Sequence, residues 1–226
     1  MKVKKISFLM VFLLIAALIF VLVQTERAQK TDERRVLKAA DVPATAKQLT
    51  DFAPKDWKIT AEITGDLNGD KLADTVLTVA FDDSETALII VFKNANGSFR
   101  RAAVAPNALH CDCGSMLGDG TPAVEINKGQ IILKGWSGSR EIRDITMRFR
   151  REASTKRFLL IGDDYKLTDR LELTTHIVSS NYLTNLRILT EIVEDKKEKR
   201  KQTKIKIQRV YLDELDYQDY WEKFEQ

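Results

Sequence analysis

WKITAEITGDLNGDKLADTVLTVAF, residues 57–81, decides how the rest of the chain is read. Its two ends, WKITAEIT and DTVLTVAF, carry apolar side chains at short alternating intervals, the pattern of a strand with one face buried. Between them lie Gly65, Asp66, Asn68, Gly69 and Asp70, residue types that turn a chain back on itself. The segment therefore predicts a strand, a loop and a returning strand. It also poses a chemical question, because Asp66, Asn68, Asp70 and Asp74 all occupy even positions of one short loop.

The same rhythm continues outward. TALIIVFK, SFRRAAVA, QIILKGW, EIRDITMRFR, RFLLIGDDY, LELTTHIV, LRILTEIV and TKIKIQRVYL follow in order, which makes ten candidate strands with the opening pair. NANGSF and EINKGQII have the composition of tight hairpins, and EDKKEKRKQ reads as a longer hairpin loop. A mainly β protein with antiparallel sheets is expected: a sandwich, a curled sheet or an incomplete propeller. The aspartate loop occurs once, whereas a full propeller would show several related blades. Helix is expected only in short pieces, one within RRVLKAADVPATAKQLTDFAP and one in LDELDYQDYWEKF, where Leu212, Leu215, Tyr220 and Phe224 fall along one side.

The N-terminus has a different composition. Lys2, Lys4 and Lys5 precede Ile6–Val23, eighteen residues with no charge and Ser7 as the polar exception. That length spans a hydrocarbon core of roughly 30 Å as a helix, with the basic flank on the cytoplasmic side. Basic, apolar and polar regions in this order also describe a cleaved signal peptide, although VLVQTERAQ lacks an A-x-A cleavage pattern. The expected organisation is a signal anchor or signal peptide at 1–25, a polar linker with a possible short helix at 26–50, and an extracytoplasmic β-rich domain at 51–226. The chain is then a single-pass membrane protein with its C-terminal domain outside the cytoplasm, or a secreted or periplasmic protein if the signal is cleaved.

Charge narrows the partners. The net charge of +3 comes from 36 basic and 33 acidic residues, so removing Lys2, Lys4 and Lys5 leaves 33 of each and a net of zero. The expected exported part thus has no overall electrostatic reason to bind nucleic acid. KKEKRKQTKIKIQR, residues 196–209, is locally basic, with eight positive charges against one negative, and an acidic tail, LDELDYQDYWEKFEQ, follows it. The run reads as a solvated hairpin beside that tail, or as a contact for anionic lipid or an envelope polymer. Cys111 and Cys113 are too few for a disulfide scaffold; a strained local bridge, two separate thiols or part of a metal site all remain open.

Counting from Asp66 as position 1, Asn68 is 3, Asp70 is 5, Leu72 is 7 and Asp74 is 9. Side-chain oxygens at 1, 3, 5 and 9, with a backbone carbonyl at 7, form the hard-oxygen set that Ca²⁺ takes. Good turn-forming chemistry is the plainer explanation of the same residues. A helical EF-hand would need Glu at position 12, where Leu77 stands. GDLNGDKLADTVLTVA resembles the D-x-N-G-D-G-x-x-D calcium loop of FG-GAP and VCBS repeats. The resemblance implies a structural Ca²⁺ held by Asp66, Asn68, Asp70 and Asp74 with the Leu72 carbonyl. Lys71 departs from the family pattern, which has Gly there. More widely, this loop followed by HCDCGSMLGDG, GWSGSREIRD and RFLLIGDDY resembles a group of exported bacterial β-rich proteins with no assigned activity.

No catalytic set emerges. His110 adjoins the cysteines, but neighbouring strand residues point to opposite faces, and His176 sits in strand-like LELTTHIVSS. GWSGS, residues 135–139, has G-x-S-G spacing instead of the G-x-S-x-G of a nucleophile elbow, and reads as a bulge or turn. The expected function is a membrane-anchored binding or envelope-associated module whose partner is an envelope protein or polymer. The alternative is an envelope hydrolase with its site between His110 and Asp119.

Overall fold

The computed structural model describes residues 35–81, 85–109, 122–206 and 209–224. The chain divides into two units, Met1–Arg35 and Val36–Gln226, and the architecture below is that of the second. Among the described residues it is mainly β, with two antiparallel sheets and no closed barrel.

The first sheet holds β1 (Thr45–Ala46), β2 (Lys58–Gly65), β3 (Asp74–Ala80), β4 (Thr86–Lys93) and β5 (Phe99–Ala105), in the order β1-β5-β4-β3-β2. Its central strands, β3 and β4, are buried almost from end to end. TALIIVFK is continuously apolar for that reason: Leu88, Ile90 and Phe92 enter one hydrophobic cluster, while Ala87, Ile89 and Val91 enter another on the opposite face. The register Val76↔Ile90 and Leu77↔Ile89 keeps each side chain with neighbours of its own face. The second cluster is roofed by Leu37, Val42 and Phe52. Two short 3₁₀ helices, Ala39–Asp41 and Leu49–Phe52, carry that roof. Residues from Leu37 onward, within the stretch expected as linker, therefore lie against the sheet.

The second sheet is a meander of β6 (Ala123–Asn127), β7 (Gln130–Gly138), β8 (Glu141–Arg151), β9 (Phe158–Asp169), β10 (Thr174–Asn181), β11 (Leu186–Val193) and β12 (Lys199–Lys204). Both hairpins expected from composition are present. Lys128 and Gly129 turn β6 into β7 with positive φ at both positions, as a two-residue hairpin of this twist requires, and Gly97 turns β4 into β5. The last candidate strand is displaced. TKIKIQRVYL reads as the strand and EDKKEKRKQ as the loop before it, but the ladder partner of β11 is Lys199–Lys204, which takes in the end of that loop. An edge strand has no fully buried face, so its apolar alternation does not set its register.

Ile131, Leu133, Ile145, Met147, Phe149 and Leu160 of the second sheet share one cluster with Val76, Leu88, Ile90 and Phe92 of the first. The C-terminal segment completes that core. After β12 the chain returns to β9, where Leu160 N–H donates to Val210 O at 2.9 Å, and Tyr211 bridges Leu159. A 3₁₀ turn at Leu212–Glu214 precedes α1 (Tyr217–Glu222), whose N-cap Asp216 accepts from Asp219 N–H at 3.2 Å. Leu212, Leu215, Tyr217, Tyr220 and Trp221 are all buried, so the expected apolar side of this segment is present, widened by Tyr217 and Trp221. Trp221 is 1 % exposed, and truncating so large a buried ring costs about 3–5 kcal/mol.

Candidate functional site

The aspartate loop joins β2 to β3 and is built as a ladder of side-chain-to-backbone hydrogen bonds. Asp66 Oδ1 accepts from the N–H groups of Asn68 at 3.2 Å and Gly69 at 2.6 Å. Asn68 Oδ1 accepts from Asp70 N–H at 2.8 Å, and Asp70 Oδ1 from Leu72 N–H at 2.8 Å. Each oxygen therefore caps the N–H two residues ahead, which by itself requires Asp or Asn at alternating positions. Asp66 Oδ2 also accepts from Lys71 N–H at 2.9 Å. Gly69 and Lys71 have φ of 87° and 67°, so the position where the family pattern has Gly is left-handed here and lysine occupies it.

Asp74 does different work. It is fully buried, and its two oxygens accept from Leu67 N–H at 3.0 Å and from Lys93 N–H, at the end of β4, at 3.0 Å. It pins the loop to the first sheet. Burial raises its pKa above the ordinary carboxylate value, opposed by those two N–H groups and reinforced by Asp70 and Asp66. Asp66 moves the other way, held low chiefly by the Gly69 N–H. The loop also lies beside the second sheet. A methyl group added at Gly65 would sit 2.5 Å from Ile126 Cγ2, and one at Gly129 would lie 3.5 Å from Asp66 O.

As a donor set for a cation, the five groups have the right chemistry, three carboxylates, an amide oxygen and a carbonyl. Among the described residues Asp66 Oδ2, Asn68 Oδ1, both oxygens of Asp70 and of Asp74, and Leu72 O each accept one hydrogen bond, which leaves each an acceptor position. They are not gathered around a point: among the described residues no three His, Cys, Asp or Glu side chains form a group able to hold a metal.

The other residues singled out in the sequence scatter. His110, Cys111, Cys113 and Asp119 lie outside the described residues, as does the apolar run at Ile6–Val23. Among the described residues no helix is long and apolar enough to cross a membrane. His176 is exposed on β10. GWSGS runs along the end of β7 into the turn before β8, where Gly138 has φ 103°.

One polar cluster escaped the sequence reading. Asp163 on β9 is fully buried; its Oδ2 accepts from Tyr182 OH at 2.7 Å and from Tyr220 OH. Burial, with Asp163 second, raises both tyrosine pKa values, so the hydroxyls remain donors. The cluster ties α1 and the turn after β10 to β9. Its signal in the sequence was an aspartate two residues before Tyr165, on the inward face of RFLLIGDDY. Comparisons with protein-family models, with curated proteins and with solved structures return no match for this chain.

Proposed function

We propose that this chain is a membrane-anchored, extracytoplasmic binding module whose β2–β3 loop takes a structural Ca²⁺ through Asp66, Asn68, Asp70, Asp74 and the Leu72 carbonyl. One observation carries the metal reading. The loop places three carboxylates within nine residues, and the burial of Asp74 together with the charges of Asp66 and Asp70 disfavours its ionised form. A divalent cation removes that repulsion, and each donor group keeps an acceptor position for it. The charged N-terminal flank and the apolar run after it support the anchor. The balanced charge of the remainder supports an envelope protein or polymer as partner over nucleic acid.

Calcium here is a brace. Extracellular modules bind Ca²⁺ at about 10⁻⁴–10⁻³ M. At ten times the dissociation constant, linkage adds about 1.4 kcal/mol to stability. For a unit of this size that is a Tm increase of about 3–6 °C. Calorimetric titration and thermal unfolding of the 226-residue chain in detergent, with Ca²⁺ and with Mg²⁺, test it. The expected result is a saturable heat and a Tm rise with Ca²⁺, both lost in Asp70→Ala. Absence of heat and of thermal shift in the unmutated protein at millimolar Ca²⁺ rejects the metal reading.

A further inference from the structure

The second sheet has seven strands and the first has five, and the cover over the inner face of the larger sheet ends before its last strands do. One cross-strand row shows where. Ile145, Tyr165, Val178, Leu189 and Lys201 are successive partners on β8 to β12. Ile145 is 1 % exposed and Tyr165 5 %, the latter with the Phe224 ring stacked on it at 4.7 Å. Val178 is half-buried, Leu189 is 37 % exposed and Lys201 is open to solvent. A row that begins in the core thus ends as the floor of an open groove.

Two adjoining hollows follow that floor, one of 420 Å³ over β10 to β12 and one of 340 Å³ beside α1, and Val178 and Leu189 line both. Volumes of this order accommodate small organic ligands. Arg187 lines the hollow beside α1, and Lys201 lines the other, where the Glu191 carboxylate is taken up by Lys199 at 3.4 Å. Arg187 and Lys201 occupy diagonal positions on neighbouring strands, since Arg187 pairs with Thr203 and Leu189 with Lys201. Long side chains reach across such a diagonal. Arg187 Nε donates to Ser180 Oγ at 3.0 Å, which orients the guanidinium, and no carboxylate among the described residues pairs with either cation. Basic residues on an edge strand discourage sheet-to-sheet association, which accounts for Lys199, Arg200 and Lys204. It does not account for Arg187, which lies one strand in from the edge.

We propose that this groove binds one anionic amphiphile, its alkyl chain along Val178 and Leu189 and its carboxylate or phosphate headgroup between Arg187 and Lys201. Burial of the alkyl chain supplies the affinity, and the two cations select the charge of the headgroup. The site stands on the groove alone and holds whether or not the distant aspartate loop takes calcium.

The test uses the 226-residue chain in phosphatidylcholine nanodiscs, with methyl NMR of Val178 and Leu189 during titration with decyl phosphate, decanoate, decanol and decyltrimethylammonium. The expected result is saturable shifts at both methyl groups with the two anions. Binding of decanol, and of decyl phosphate to Arg187→Gln/Lys201→Gln, is expected to be weaker by about tenfold or more, the loss of charge-assisted contacts. Partition into the lipid is common to protein and variant and cancels in the comparison. The proposal is overturned by absence of saturable shifts, by equal affinity for decanol and decyl phosphate, or by an unchanged affinity in the double variant. It is also overturned if poly(glycerol phosphate) produces the shifts and decyl phosphate does not, which marks a polymer site.

Discussion

Asp74→Ala separates what the aspartate loop owes to a metal from what it owes to its own backbone. In the structure Asp74 is the buried acceptor for Leu67 N–H and for the part-buried Lys93 N–H, so alanine removes the acceptor of both donors. Each buried group left without a partner costs about 1–3 kcal/mol, a gross loss of about 2–6 kcal/mol. Removing a carboxylate whose ionised form is disfavoured by burial returns part of this, and we expect a net loss of about 2–4 kcal/mol. At about 2–4 °C per kcal/mol for a unit of this size, the Tm falls by about 4–16 °C. The assay is thermal and urea unfolding of the full chain in EDTA, so that no metal contributes, with Asp70→Ala alongside. Asp70 is exposed and its contacts are local to the loop, so its loss in EDTA stays within about 1 kcal/mol. The reasoning is refuted if Asp74→Ala in EDTA matches the unmutated protein within about 0.5 kcal/mol. The two hydrogen bonds would then carry no net stability.

Two further outcomes are expected. Gly135→Ala places a methyl group 1.9 Å from the Tyr217 hydroxyl, which has no hydrogen-bond partner among the described residues, and the overpacking costs about 1–3 kcal/mol. Adding Tyr217→Phe removes the clashing atom, so a double-mutant cycle from urea midpoints yields a favourable coupling; strict additivity would place α1 elsewhere. The Asp169 carboxyl is held down to about 2, first by its hydrogen bonds from Arg140, and Arg140→Ala returns its NMR titration midpoint toward the ordinary value of 3.8. Because this pKa is lowered by folding, its stabilisation is present above 3.8 and fades as pH falls toward about 2; acid unfolding of the variant therefore shows a weaker dependence on pH in that window.

The strands were legible because burial imposes a period, and the tight hairpins because positive φ at Lys128 and Gly129 in one turn and at Gly97 in the other calls for Gly or a tolerant neighbour. TALIIVFK was legible as a strand but not as a doubly covered one, since the roof from Leu37, Val42 and Phe52 arrives from residues whose own pattern is weak. The register of β12 was not legible, because its partner and not its apolar residues decides it. At the loop, the alternation of Asp66, Asn68 and Asp70 was visible, but its local cause was not: residue types do not state which N–H each oxygen will accept. Asp74 reads as a fourth member of the same series, and its added part as the anchor was not visible because it depends on Lys93, nineteen residues away. Asp163 was hidden for the same reason, since its partners Tyr182 and Tyr220 come from segments distant in sequence.

The meander has a consequence for the order in which the molecule assembles. Each ladder of the second sheet joins strands adjacent in sequence, so those contacts close short loops and form early, on the timescale of hairpins. The core between the sheets has a different schedule. Tyr217 and Trp221 fill it from a segment that follows every described strand in sequence. A growing chain would thus hold two zipped sheets whose shared apolar core stays incomplete until Tyr217 and Trp221 are made. That interval is when association between copies competes with folding, and the C-terminal helix is the element that ends it.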